Sequence, residues 1–256
     1  MKRASYFLLP LVAWFLPSCG KVASPDVRER ELSYLRSVMP ESLLEFAHVE
    51  VPSIENIAIQ SEGADQHLGL YLLAGQQKLN GGIRTETSVD YPHQSSETVR
   101  YAWRFMVPQG FQSDAPKNRW WIIGRWPDQP NRDQREAWDD FPSRSPPVLL
   151  SIGELDDRLA IGMAYGPDQS QNRRPFFIEP GQWHNLAVEI RWSQKADGRA
   201  AFFLNDMNQS AAMIDGPNMH NDFQHYLKLG MYRHPEIATD NWIYLDDLTV
   251  ATLASQ

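Results

Sequence analysis

The chain has 256 residues, with 24 Lys and Arg against 32 Asp and Glu, so it carries a net charge of −8. That balance argues against a nucleic-acid partner, which needs concentrated positive charge, but allows an anionic polymer held in a locally basic groove. One cysteine, Cys19, leaves no intramolecular disulfide and no thiolate metal cluster.

At the N-terminus Lys2 and Arg3 precede the apolar run Tyr6 to Leu16, which is broken by Pro10 and is short for a bilayer span. Residues 1–18 therefore read as an export signal. Leu16-Pro17-Ser18-Cys19 resembles a bacterial lipoprotein cleavage box, which implies lipidation at Cys19 and a periplasmic, outer-membrane or cell-surface location. Plain secretion is the alternative. Loss of Lys2 and Arg3 would leave 22 basic residues against 32 acidic ones, a balance of −10. About 235 residues then remain, enough for one large all-β domain.

Residues 19–52 are expected to form a tether with one short amphipathic helix between Asp26 and Val38, where Leu32, Leu35 and Val38 share a face. Residues 53–256 form the domain. There, short apolar alternations separated by Gly, Pro, Asn and Asp predict an antiparallel sandwich. Val99, Tyr101, Trp103, Phe105 and Val107 alternate with Arg100, Ala102, Arg104 and Met106. Pro147 to Ile152 and Leu159 to Ala164 read as a strand pair around Gly153-Glu154-Leu155-Asp156-Asp157. Further strands are expected at 184–192, 199–204, 226–232 and 242–251. Pro127 to Pro146 is a long irregular stretch carrying Trp138 and Phe141, either a functional loop or a disordered insertion.

In His225 to His234, a period of two puts Tyr226, Lys228, Tyr232 and His234 on one strand face and Leu227, Leu229 and Met231 on the other. A phenol serves as an acid or base when a neighbouring cation draws its pKa down from about 10, and Lys228 and Arg233 are candidates in sequence. Aromatic and basic residues on an exposed strand face are also ordinary. Trp126 and Trp138, near or in the long loop, are candidate sugar platforms, whereas one of Trp120 and Trp121 must point into the core. Arg100 and Arg104 share a face that either extends a basic groove or is merely solvated. Glu154 and Asp156 begin a carboxylate pattern of the glycosidase kind but lie in an expected hairpin turn. No zinc or calcium-loop pattern is present, so no metal or other cofactor is expected, a structural calcium aside.

Together, Gly82-Ile83-Arg84-Thr85-Glu86, Trp121-Ile122-Ile123-Gly124-Arg125-Trp126-Pro127, Gly181-Gln182-Trp183-His184, Tyr226-Leu227-Lys228-Leu229-Gly230-Met231-Tyr232-Arg233 and Ile243 to Val250 resemble the heparin lyase I-like polysaccharide lyases, relatives of glucuronan and alginate lyases. The resemblance implies a concanavalin-like β-jelly roll of two antiparallel sheets that cleaves an acidic, uronate-containing polysaccharide by β-elimination. It assigns proton transfer to Tyr232, with Lys228 on the same face, and a groove cation to Arg84; Arg125, standing where relatives have glutamine, is expected to share the carboxylate electrostatically, and His234, on the Tyr232 face, to assist. Glu86, placed to orient Arg84, and Trp126, Trp138, Tyr226 and Arg233 complete the set as substrate contacts. One departure stands out. Where related lyases have Gln-Trp-His, this chain has Arg125-Trp126-Pro127, so the histidine base is replaced by a residue that cannot carry a proton. Either Tyr232 serves as both base and acid, another histidine such as His234 reaches the site, or the chain is a non-catalytic carbohydrate-binding jelly roll.

Overall fold

The computed structural model describes residues 25–46, 48–63 and 65–254, so the expected export signal and Cys19 lie outside the described residues. An opening helix, α1 (Pro25–Val38), and a short 3-10 helix (Glu41–Phe46) lead into fourteen strands. These are β1 (Val49–Glu50), β2 (Ile57–Glu62), β3 (Asp65–Leu72), β4 (Ile83–Val89), β5 (Thr98–Met106), β6 (Trp121–Trp126) and β7 (Val148–Leu155). The others are β8 (Arg158–Tyr165), β9 (Gln171–Phe177), β10 (His184–Arg191), β11 (Arg199–Leu204), β12 (Ala212–Asp215), β13 (Leu227–Arg233) and β14 (Asn241–Leu253). They form two seven-stranded sheets in the orders β1-β4-β13-β6-β7-β8-β9 and β12-β11-β10-β5-β14-β3-β2. Every pairing is antiparallel, giving the expected jelly-roll sandwich.

The alternation read from the sequence builds the core. Val99, Tyr101, Trp103 and Phe105 of β5 are buried, and across the sandwich Trp126 meets Tyr101 and Trp103 at ring-centre distances of 5.4 and 6.4 Å. Leu227, Leu229 and Met231 of β13 point the same way and are fully buried. The hairpin between β7 and β8 turns on Asp156 and Asp157, both at positive φ (50° and 57°), the left-handed pair that matches strand twist in a two-residue loop. Glu154 and Asp156 therefore belong to that hairpin and not to a catalytic pair. Arg100 and Arg104 lie on the other sheet, paired with Glu189 and Asp246, away from β4 and β13.

The stretch from Leu32 to Val51 departs from the expected tether. The helix is present, but Leu32, Met39, Leu43, Phe46, Val49 and Val51 are buried in the core. Thr87 Oγ1 donates to the Phe46 carbonyl at 2.8 Å, and β1 pairs with β4 through Val49↔Thr87 and Glu50↔Glu86. Burying Leu43 and Phe46 contributes about 1.5–3 kcal/mol each, more than a free tether would supply. Their spacing follows a 3-10 helix and a two-residue strand, too short for either period to be visible in sequence.

Candidate active site

The outward face of the first sheet carries the charged residues. On β4 the inward set is Ile83, Thr85, Thr87 and Val89, which leaves Arg84, Glu86 and Ser88 outward. On β13 the outward residues are Lys228 and Tyr232, with Gly230 between them. On β6 a register shift between Ile122 and Gly124 changes the phase, so that Arg125 faces outward and Trp126 inward. Pairing aligns these residues in rows: Arg125↔Lys228↔Ser88, then Gly230↔Glu86↔Glu50, then Ile122↔Tyr232↔Arg84.

Arg125 and Glu86 form a buried bidentate pair, Nε to Oε1 at 2.8 Å and Nη2 to Oε2 at 2.6 Å. Their strands are not neighbours, since β13 lies between, and the pair crosses it at Gly230, which has no side chain to obstruct it. Gly230 also has φ +136°, and a Cβ there would stand 2.4 Å from the Thr85 carbonyl oxygen and 2.8 Å from Glu86 Cα. Burial by itself would raise the Glu86 carboxyl pKa. The charge and hydrogen bonds of Arg125, followed by Lys228 and Arg84, outweigh it and hold the carboxyl below its usual range. Arg125 is likewise shifted up, because Glu86 more than offsets its desolvation.

Lys228 is held by Glu50 of the edge strand, Nζ lying 2.5 and 2.6 Å from the two carboxylate oxygens. Burial lowers its pKa even against Glu86 and Glu50. Arg84 is the cation least satisfied by protein. It reaches Glu86 only at 3.7 Å and the Asn80 carbonyl at 3.3 Å, and its Nε is buried without a partner. Three cations against two carboxylates leave the cluster one positive charge, enough to accept one more carboxylate.

Tyr232 is half-buried, and its described contacts are all through its ring. The guanidinium carbons of Arg84 and Arg125 lie 4.5 and 5.1 Å from the ring centre, and Trp120 meets it edge-on at 4.7 Å. Arg84, Arg125 and Lys228 line a groove of about 900 Å³ together with His48, Glu50, Ser88, Tyr226 and Trp138. Tyr232 is not itself part of that lining, but its ring touches two residues that are, Arg84 and Arg125.

Several expected contacts are corrected. Trp126 is fully buried, because it follows outward-facing Arg125 on a strand. Arg233 also points inward, donating to the Thr239 and Leu73 carbonyls and to Asn241, and it closes loops instead of touching substrate. Glu86 is 2% exposed, too buried to meet a sugar, and its main partner is Arg125, not Arg84. His234 accepts the Glu236 N–H at Nδ1 (3.2 Å), which leaves the ring hydrogen on Nε2 in the neutral tautomer. Its described ring contact is with Trp120, which also meets Tyr232. His225 is fully buried against Trp192, and desolvation pulls its pKa down to about 3. Trp138 is 53% exposed and meets Tyr226 edge-on, and both line the groove.

Of the groove residues outside the expected site set, which also include Asn80, Ser88, Asp90, Gln129 and Arg132, His48 and Glu50 were hidden because both fall in the presumed tether. Alternation around buried Val49 was their only signal. His48 sits opposite Ser88, whose N–H it accepts at 2.7 Å. Measured from Tyr232 that is four residues along the sheet, about 13 Å, and two strands across, about 10 Å. That spacing sets the imidazole well apart from the phenol on the sheet.

The polysaccharide lyase family profile matches residues 52–249. The chain belongs to the polysaccharide lyase family. Solved structures with the same fold include the endo-β-1,4-glucuronan lyase of the fungus Trichoderma reesei, with TM-score 0.58 and 12% identity, covering 77% of this chain and 87% of that one. A family 7 alginate lyase from Zobellia galactanivorans superposes with TM-score 0.52 and 12% identity, covering 76% and 80%. An alginate lyase from Chlorella virus gives 0.52 and 10% identity, covering 80% and 91%. No curated protein matches the chain at a significant level.

In this polysaccharide lyase Gly82 gives the phenol its room. A Cβ at that position would stand 2.5 Å from Tyr232 Cε2 and 2.8 Å from Arg84 Nη2. Gly82→Ala is expected to displace the ring and lower kcat about 10²-fold while the fold survives, as misplacement of a catalytic group by about 1 Å does. Steady-state kinetics beside a thermal unfolding curve measures this. An unchanged kcat would show that Tyr232 has no fixed place in the reaction.

Proposed function

We propose that this polysaccharide lyase cleaves a non-sulfated uronate polymer by syn β-elimination, with Tyr232 as both base and acid. The observation that carries the reading is the pair of groove-lining guanidinia, Arg84 and Arg125, stacked over the Tyr232 ring, whose other described ring contact is the Trp120 indole. A uronate carboxylate at Arg84 would take up the unpartnered Nε and the cluster's surplus positive charge, which makes the C5 proton more acidic. Tyr232 Oη takes that proton as the base, the C4–O4 bond breaks as the C4=C5 double bond forms, and the same oxygen returns the proton to O4. The tyrosine ends as it began, so one residue suffices.

A single phenol works from one face of the sugar ring. C5–H and O4 lie on the same face in β-D-glucuronate and β-D-mannuronate, and on opposite faces in guluronate, iduronate and galacturonate. Arg125 and Lys228 are already paired with Glu86 and Glu50, which leaves little free charge for sulfate groups. The names of the fold neighbours, glucuronan and alginate lyases, support a uronate substrate. The run of motifs from Gly82 to Val250 supports a place beside the heparin lyase I-like members.

The test is a panel of glucuronan, polymannuronate, polyguluronate, polygalacturonate and heparin, with product followed by the ultraviolet absorbance of its new double bond. Turnover is expected on glucuronan or polymannuronate. Turnover confined to polyguluronate would exclude the one-tyrosine mechanism, and binding without turnover would return the chain to a carbohydrate-binding role. The proposal includes export and a lipid on Cys19, read from the sequence around it; fatty-acid labelling that persists in Cys19→Ser would refute the anchor.

A further inference from the structure

Beyond Trp138 the groove continues into a second cavity of about 320 Å³, lined by Asp90, Gln129, Pro130, Asn131, Arg132, Asp133, Phe223 and Gln224. The two cavities share Asp90, Gln129, Arg132 and Trp138, so the exposed indole and the Arg132 guanidinium stand in the wall between them. We propose that this second cavity is a distal subsite that holds a uronate residue of the same chain, several sugars from the scissile bond. The inference rests on the lyase reading above and extends it to how the polymer is held.

Its lining offers a sugar an aromatic face, side-chain amides and one guanidinium beside the carboxylates of Asp90 and Asp133. Trp138, 53% exposed, offers a flat apolar face for a ring. Asp90 Oδ1 accepts from Gln129 Nε2 at 3.0 Å and from Gln224 Nε2 at 2.8 Å, which fixes both amides and leaves their oxygens for sugar hydroxyls. Arg132 makes no ion pair among the described residues and is free for a carboxylate, unlike Arg125 and Lys228 in the groove.

The loop that supplies these groups is braced in place. Asn131 accepts the Asp133 N–H, Glu136 accepts the Asn131 N–H at 2.8 Å, and Arg144 pairs with Asp128 at 3.4 Å. His220 meets the Ser145 carbonyl at 2.8 Å, and Asn221 donates to the Gln129 carbonyl at 3.1 Å, tying the loop to the segment that leads into β13. A preformed subsite costs little ordering entropy when a chain arrives. A disordered insertion would have none of these ties.

The experiment measures kcat/KM on glucuronan and mannuronan oligosaccharides from trisaccharide to decasaccharide, for the wild type, Trp138→Ala and Gln224→Ala. Wild-type kcat/KM should climb with length until the chain reaches the second cavity. In both variants the value for the longest chain should fall about tenfold relative to that for the shortest, carried mainly by KM. The same length dependence in all three proteins would overturn the subsite. If no oligosaccharide is cleaved at any length, the lyase reading fails separately. Calorimetric titration with the decasaccharide then decides the subsite: weaker binding by the variants supports it and equal binding overturns it.

Discussion

Tyr232→Phe is expected to abolish turnover, by about four orders of magnitude, while leaving binding of glucuronan or mannuronan oligosaccharides nearly intact. General acid–base catalysis contributes about 10²–10⁴-fold for a proton transfer, and in the proposed mechanism one oxygen serves two. Phenylalanine keeps the ring that packs on Trp120 and beneath the Arg84 and Arg125 charges, so the surroundings have no cause to rearrange. Single-turnover rates with calorimetric binding separate the two effects. A variant that retains even a tenth of wild-type kcat would move proton transfer to another group. Nothing else in contact with Tyr232 can take a proton at neutral pH, since its described neighbours are two guanidinia and an indole. The groove histidine would then be the place to look, despite its distance.

Glu86→Ala should produce the largest loss of stability. It leaves Arg125 buried without its bidentate partner, and removing one member of a buried pair costs about 3–5 kcal/mol. In a domain of this size that is a fall in Tm of about 10 °C. Activity should fall with it, since Arg125 would lose the contact that fixes its guanidinium over Tyr232. The same pair sets an acid limit. The Glu86 pKa is lower in the folded chain than the ordinary 4.5, because Arg125, Lys228 and Arg84 overcome the effect of burial. Its contribution to stability is therefore present above about pH 4.5 and disappears as pH falls through the lowered folded value. Glu86→Gln, which cannot titrate, should lose stability less steeply than wild type across that acid range. Chemical denaturation at a series of pH values tests this, and parallel acid slopes in the two proteins would remove Glu86 from the account.

What could be read from the residues divides along physical lines. Alternation in β5, β7, β8, β10, β11, β13 and β14 was visible because each strand has one face against the core, and burial imposes a period of two on its apolar residues. The same period placed Lys228 and Tyr232 together on β13. It fails where an element is too short to repeat, which is why Val49–Glu50 passed for tether and took His48 and Glu50 out of view. It also fails across a bulge. Phase alone would have separated Trp126 from the core, whereas the register shift in β6 turns Arg125 outward and sends the indole inward.

The sequence alone determined the sandwich, the family and the tyrosine strand, since these depend on local periodicity and on motifs that survive in one dimension. Only the tertiary structure decided which charges meet. Glu86 prefers Arg125, two strands away, over Arg84 on its own strand, because Gly230 leaves the intervening strand open. An edge strand contributed by the N-terminal segment neutralises Lys228. Partners in an antiparallel sheet are chosen by register and strand order, and neither is written in the spacing of residues along the chain.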